Sequence, residues 1–489
     1  MLDKLKERLY QWVETKNWKP NVINFVKGYI EDIHPRAITR DSTWGIPVPL
    51  PSAEGKVLYV WFDAPIGYIS ATMEWAENLG KKEKWKDYWF DPGTKLVNFI
   101  GKDNIPFHAA IFPAMVMGQD APYKLVDELP ANEFYKLEGR QFSKSDGWYI
   151  DLEDFFTRYT ADQIRYAIAA NAPETSDSEF TWKDFQNKCN TDLLGKYGNL
   201  ANRVLVFAKN NSIGAVPKAG EMTPVDKQFL AEIHELILQT AEAYENYRLR
   251  KASHLLMELA QLGNVYFDSK KPWQDAKIPS SRERMETTIR LCLECLKALS
   301  LVSFPIIPET AEKMWAMLGY KDPIAHSSWQ KISMDPIPEG QKLSEPKILF
   351  ARVEDALIAQ EIEKLQSLSK KASPKNIDFL PLKELVDIEE VRKLDLRVGV
   401  IEHAEEVPKS KKLLKLQVDL GFEKRTIVSG ISQFYKPQDL IGQKVIVVAN
   451  LKPATLMGIE SQGMILAGSW DKALEITRVE NLPPGSCVS

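Results

Sequence analysis

The spacing of apolar residues divides the chain into three kinds of territory. Lys56-Val57-Leu58-Tyr59-Val60-Trp61-Phe62 is a compact apolar run of strand length and predicts a buried strand. A helical pattern from Ile66 to Leu79 follows and stops at Gly80. Leu96–Ile100 repeats the strand signal and ends at Gly101, and Pro106 then opens an apolar helix that runs toward Gly118. Strand–helix–strand–helix order predicts a parallel sheet with crossover helices. Ligands of such sheets lie beyond the carboxyl ends of the strands, which points to Asp63 and to Gly101-Lys102-Asp103-Asn104.

From Thr181 to Ser344 the period changes to three and four. Phe229, Ile233, Leu236, Ile237, Ala241 and Tyr244 share one helical face, and Ile289, Cys292, Leu296 and Leu299 another, so a helical bundle is expected. Residues 351–385 begin as a charged helical stretch and pass into Ser367–Lys375, read as an exposed linker. From Val386 onward, short strand signals at Leu396–Ile401, Leu413–Val418, Thr426–Ser429 and Lys444–Val448 alternate with glycine turns, the pattern of a small β-barrel.

Composition narrows the function classes. The 489 residues, 44% apolar and 27% charged, exclude a disordered or fibrous chain. A net charge of −4 provides no global field for nucleic acid, so any such binding must come from local patches. Val386–Ser489 carries 14 basic and 14 acidic residues, with one basic loop of Lys409, Lys411, Lys412 and Lys415. Four cysteines exclude a disulfide framework and fit a reducing, cytoplasmic setting. Cys292-Leu293-Glu294-Cys295 has metal-ligand spacing, but it lies in an apolar helical run without a second pair and reads as core. No apolar run approaches the ~18 residues of a membrane span, and the charged start, Met1–Arg8, has no signal-peptide core.

Glu138-Gly139-Arg140-Gln141-Phe142-Ser143-Lys144-Ser145-Asp146-Gly147 is the strongest local signal. A lysine between two serines, bracketed by glycines, suits a mobile loop that folds over a polyphosphate. Taken alone it reads as a solvated surface turn. Upstream stand Trp44-Gly45-Ile46-Pro47-Val48-Pro49, Tyr59 to Tyr68 and Phe99 to His108. Downstream come Tyr197-Gly198-Asn199-Leu200-Ala201-Asn202-Arg203, Ser269-Lys270-Lys271-Pro272-Trp273 and Leu394 to Met464. In order and spacing these segments resemble methionyl-tRNA synthetases over essentially the whole chain, and the lysine–serine loop resembles the KMSKS loop of class I aminoacyl-tRNA synthetases.

The resemblance implies a multidomain fold: an α/β, partial Rossmann-like catalytic segment over 1–180, an α-helical anticodon-binding bundle over 181–350, a linker over 351–385, and a β-barrel OB-fold over 386–489. It implies ATP-dependent activation of methionine and its transfer to tRNA(Met). Trp61, Ala64, Pro65, Tyr68 and His108 match the methionine pocket, an aromatic cage suited to a thioether. Gly101 and Asp103 match the ATP-ribose positions, and Lys144, with Ser143 and Ser145, matches the group that stabilises departing pyrophosphate. Asn199, Arg203 and Trp273 match anticodon readers, and the lysine loop of the barrel matches tRNA-body contacts. Without the joint match, Trp61 and Tyr68 read as core aromatics, His108 as a satisfied core histidine, Asp63 and Asp103 as caps, and Asn199 and Arg203 as a solvated face.

Two departures qualify the expectation. The six histidines, His34, His108, His234, His254, His326 and His403, form no His-x-Gly-His pattern. The nucleotide-binding half, the methionine-ammonium ligands and the zinc-knob cysteines are also unmatched. The chain is therefore expected to be the C-terminal portion of a split or truncated enzyme, needing ATP with Mg2+, holding no zinc ligands, and working with a separate N-terminal half. Within the loop, Gln141 and Asp146 stand where basic residues are usual, which lowers the positive charge near pyrophosphate. The resemblance also implies a homodimer through the C-terminal domain. The alternative is a non-catalytic tRNA-binding protein or synthetase remnant.

Overall fold

The structure, a computed structural model, describes residues 2–35, 37–42, 44–371, 385–408, 410, 412–470, 473–479 and 481–488. The chain divides into two compact units, Met1–Lys375 and Asn376–Ser489.

In the first unit, the helices Lys6–Glu14 and Pro20–Glu31 bury Leu9, Val13, Val22, Val26 and Ile30 against Ile105, Ala109, Ala110 and Ala114. These last belong to a continuous helix, π-wound over Phe107–Ile111 and α over Phe112–Met117. Its opposite face, Phe112 and Val116, packs on Ile69, Ala76, Trp85 and Trp89. Burial on both sides explains why Ala109–Met117 is the most apolar run in the sequence.

Strand structure here is sparse. β1 (Thr39–Asp41) and β2 (Lys56–Leu58) pair antiparallel, whereas β3 (Ile100–Gly101) and β4 (Ala131–Asn132) pair parallel. β5 (Tyr135–Leu137) lies between antiparallel β6 (Arg140–Gln141) and parallel β7 (Ser178–Phe180). The expected strand over Lys56–Phe62 is thus corrected. It ends at Leu58, and Val60–Asp63 turns into a short helix with Val60 and Trp61 exposed. Apolar composition alone cannot separate a buried strand from an aromatic wall facing an open cleft.

A single large core runs from Leu137 to Leu365, so the packing of the helical region begins well before residue 181. The helices Pro224–Glu245, Leu249–Lys270 and Arg282–Ser303 are its frame. Phe229, Ile233, Leu236 and Ile237 are buried along the predicted stripe, with Ala241 and Tyr244 half-buried; Ile289, Cys292, Leu296 and Leu299 are buried throughout. The segment read as a linker differs as well. Asp355–Lys371 is a helix that buries Ile358, Glu361 and Leu365 in this core, because its charged sequence still carries an apolar stripe. The rest of that segment, 372–384, lies outside the described residues.

The second unit is an antiparallel barrel. β8 (Leu396–Glu406), β9 (Leu414–Asp419), β10 (Lys424–Ser429) and β11 (Lys444–Val448) are followed by the β12 (Ala454–Leu456) and β13 (Ile459–Ser461) hairpin and by β14 (Met464–Ile465). The order β10-β9-β8-β11-β14 nearly closes, since Gln462 N donates to Thr426 O and Val428 N to Ser461 Oγ. A bulge between Ile401 and His403 lets the long β8 bend from β11 to β9. Leu414, Leu416 and Val418 point inward in strict alternation, as the period-two pattern requires.

Candidate active site and tRNA-contact residues

The short helix Val60–Asp63 and the turn after it bring Trp61 over Phe107, stacked with ring centroids 5.3 Å apart and planes inclined by 27°. Trp61 is 46% exposed and Tyr68 44%, so neither is a core aromatic. Tyr68 Oη lies 2.8 Å from His108 Nε2, and its ring meets Phe112 edge-on at 6.4 Å. His108, 7% exposed, places Nδ1 2.9 Å from the Asn104 carbonyl. That carbonyl can only accept, so Nδ1 carries the proton and Nε2 accepts from Tyr68. Burial lowers the His108 pKa below the usual imidazole value, against the opposing effect of the Asn104 carbonyl, and the ring is neutral at pH 7. Pro65 is buried and Ala64 exposed beside them. The arrangement is an open aromatic wall whose polar tip is fixed in orientation, rather than a closed cage.

One turn from His108 lies the Gly101–Asn104 segment. Asp103 sits exposed inside a 3-10 turn and caps no helix. Its Oδ1 folds back so closely that a Cβ on Gly101 would lie 2.9 Å away, so only glycine leaves the carboxylate in place. Lys102 pairs with Glu133 (2.7 Å) and Asp177 (3.0 Å), which raise its pKa and direct it away from Asp103. Asp63 does not cap its helix either. Its Oδ1 is buried without a partner beside a cavity of about 680 Å3 lined by Arg40, Trp44, Val57, Tyr59 and Val60.

Ser143–Trp148 is a tight turn in which the backbones of Ser143 and Trp148 exchange two hydrogen bonds of 2.8 Å. Lys144 is exposed at its tip. Ser143 Oγ donates to Asp146 Oδ2 (2.8 Å) and lies 3.1 Å from Ser145 Oγ. An anion approaching these hydroxyls must compete with the Asp146 carboxylate. Trp148 anchors the turn, donating Nε1–H to the Leu137 carbonyl (2.7 Å) while Arg140 stacks on its ring.

In the helical region, Asn199 opens the helix Asn199–Asn211 and is exposed, with Arg203 one turn on. Arg203 pairs with Asp268, which this guanidinium holds below the usual carboxylate range, and lies over the Phe267 ring. Trp273 contacts the same ring from 5.8 Å. Phe267 thus joins two residues that are 70 positions apart in sequence. Neither Phe267 nor Asp268 was singled out by the sequence reading, nor was Phe107 beneath Trp61, because aromatic and acidic residues inside apolar runs carry no local signature.

On the barrel, Lys415 is paired with Glu405 at 2.8 Å and is not a free phosphate donor, whereas Lys412 is exposed. Lys409 and Lys411 lie outside the described residues. Cys292 and Cys295 are fully buried in the bundle; burial raises both thiol pKa values, that of Cys295 to about 12. Among the described residues, no group of three or more His, Cys, Asp or Glu is arranged to hold a metal ion.

An aromatic wall, a glycine–aspartate turn and a lysine–serine loop thus follow one another along the first unit and are continued by a helical bundle. The family model "tRNA synthetases class I (M)" matches residues 1–205, the anticodon binding domain of methionyl tRNA ligase matches 216–369, and a tRNA binding domain matches 396–486. The chain is 62% identical over its whole length to the methionine–tRNA ligase of Protochlamydia amoebophila, covering 71% of that protein. It is 42% identical over 95% of its length to that of Flavobacterium johnsoniae, covering 69% of it. Among solved structures, Mycobacterium tuberculosis methionyl-tRNA synthetase in complex with methionyl-adenylate superposes with a TM-score of 0.64 at 25% identity, over 72% of this chain and 68% of that one. The chain belongs to the methionine–tRNA ligase family.

Proposed function

We propose that Trp61, Ala64, Pro65, Tyr68 and His108 receive the methionine side chain, that Gly101 and Asp103 hold the ATP ribose, and that Lys144 with Ser143 and Ser145 meets the leaving pyrophosphate. The family's ligases use ATP, here bound as its magnesium complex. A methionine carboxylate oxygen attacks the α-phosphorus, the bond to the β-phosphate oxygen breaks, and methionyl-adenylate forms. A ribose hydroxyl of the tRNA then attacks the acyl carbon and AMP leaves. Catalysis of this kind is positioning and charge stabilisation, so Lys144 supplies charge and makes no covalent bond. The observation that carries this reading is the Trp61–Phe107 stack beside the Tyr68–His108 hydrogen bond, with His108 tied in turn to the Asn104 carbonyl that follows Gly101–Asp103. A thioether fits the stack, and a neutral imidazole places no charge beside it.

Asn199, Arg203 and Trp273 are assigned to the anticodon, and Lys412 with the neighbouring Lys409 and Lys411 to the tRNA body; Lys415 contributes only if it leaves Glu405. Trp44, Ile46 and Val60, exposed apolar side chains that line one cavity, suit contact with a nucleotide-binding half. Phe422, Phe434, Ile441, Met457 and Met464 on the barrel suit pairing with a second copy. The setting proposed is the cytoplasm. The division proposed is a catalytic segment over 1–180, an anticodon-binding bundle over 181–350 and a barrel over 386–489, with the helix Asp355–Lys371 packed in the core of the first two.

Methionine-dependent exchange of pyrophosphate into ATP tests the reading, using the chain alone and with an added N-terminal synthetase half. Exchange should appear in at least one arm, and Lys144→Ala should lower it by roughly 100-fold or more, the range for removing a preorganised group that meets developing charge. Unchanged exchange in Lys144→Ala would overturn the role of the loop. Silence in both arms, with the added half bound and tRNA retained, would leave a tRNA-binding protein.

A further inference from the structure

The turn that carries Lys144 ends at Gly147, whose φ is +64°. The left-handed conformation alone favours glycine, but the surroundings impose a second constraint. A Cβ here would lie 2.5 Å from the Leu368 carbonyl oxygen, 2.7 Å from its carbon and 3.1 Å from Ser369 N. These are backbone atoms of the helix Asp355–Lys371, so no side-chain rotation relieves the clash. Gly147 N in turn donates to the Lys144 carbonyl at 3.2 Å. The residue pressed against the helix is thus the one that closes the turn at Lys144.

The helix is itself held at a fixed height. Glu361, buried, accepts from Arg158 Nε at 2.7 Å. Arg158 also pairs with Asp154, which receives Lys364 of the same helix. Two residues before the helix, the Val353 carbonyl accepts from both Gln186 (3.1 Å) and Asn190 (2.9 Å). The seam among Ile150, Phe155, Trp182, Leu365 and Leu368 leaves a cavity of about 20 Å3, room for roughly one water. Of these carboxylates only Glu361 is buried, and an ion pair to a buried partner is weak evidence for stability but does fix one relative placement of two elements.

We infer that the helix Asp355–Lys371 is a brace that sets the position of the Ser143–Gly147 loop, with Gly147 and Glu361 as positioning residues acting through Lys144. This rests on the proposed role of Lys144. The helix follows the anticodon-contacting bundle in sequence and returns to the base of the loop, so the loop's position depends on a segment about 220 residues further along the chain.

Two measurements on the full chain separate the brace from the reading beneath it. In limited trypsin digestion followed by mass spectrometry, cleavage after Lys144 should be about 5-fold faster in Gly147→Ala and in Glu361→Gln than in the unaltered chain. Cleavage after Lys209, in the bundle, should be unchanged. This readout does not depend on activity. Equal acceleration at both sites would mean general destabilisation, and no acceleration at Lys144 would mean the helix does not hold the loop; either overturns the proposal. In pyrophosphate exchange, both variants should lower kcat at unchanged KM for ATP, and Gly147→Ala combined with Lys144→Ala should be no worse than Lys144→Ala alone. An additive loss in the double variant overturns action through Lys144. Should Lys144→Ala itself leave exchange unchanged, the role of Lys144 falls while the digestion result still decides the brace.

Discussion

His108 makes two hydrogen bonds with opposite polarity, and this fixes both its tautomer and its charge. The Asn104 carbonyl takes the Nδ1 proton, burial disfavours the imidazolium, and Nε2 is left as an acceptor for Tyr68. The pair therefore presents a neutral, oriented tip to any thioether lying on Trp61. Replacing Tyr68 with Phe keeps the ring against Phe112 but leaves a buried acceptor without its donor, a cost of about 1–3 kcal/mol. The methionine KM should rise roughly 10-fold with kcat little altered, as expected for lost ground-state binding; an unchanged KM would remove Tyr68 from the pocket. Residue type and spacing read Trp61, Tyr68 and His108 as separate core residues, and only the family resemblance grouped them. The Phe107 stack and the choice of tautomer were not legible in the sequence, because both depend on which carbonyl and which ring the helix Phe107–Met117 turns toward them.

Between elements, Asp226 shows how a cap becomes a joint. It closes a capping box with Thr223 at the start of Pro224–Glu245, and its carboxylate also accepts from Tyr266 Oη (2.6 Å) and Lys270 Nζ (2.8 Å) of Leu249–Lys270. Burial alone would raise its pKa, but the donors from Lys270, Tyr266 and Thr223 outweigh burial and hold it at about 2. A carboxyl depressed below its unfolded value of ~3.9 stabilises the fold fully above that pH, and the contribution is lost as pH falls toward 2. Asp226→Asn should therefore cost about 3 kcal/mol at neutral pH. It should also flatten the loss of stability between roughly pH 4 and 2; urea midpoints across that range would expose the idea if the slopes of the two proteins coincided. The helices were legible from the period of Phe229, Ile233 and Leu236. Their joint was not, since nothing in the local sequence links Asp226 to residues 40 and 44 positions away.

At the scale of the molecule, the two compact units have separate cores, one from Leu137 to Leu365 with its N-terminal satellites and one inside the barrel around Ile401, Leu416 and Val445. Separate cores should melt separately, so calorimetry should show two transitions, the smaller belonging to the barrel; one cooperative transition with equal calorimetric and van't Hoff enthalpies would contradict this. No helix among the described residues is long and apolar enough to cross a membrane. The order of motifs, the helical stripes and the alternation along Leu414–Asp419 were determined by the sequence alone, because periodicity and residue type are local properties of a chain. Only the tertiary structure decided that Val60–Asp63 is a helix rather than the end of a strand, that Lys415 is held by Glu405, and that Asp355–Lys371 presses on Gly147. Each of these outcomes turns on which distant group occupies the neighbouring space, and that is settled by packing.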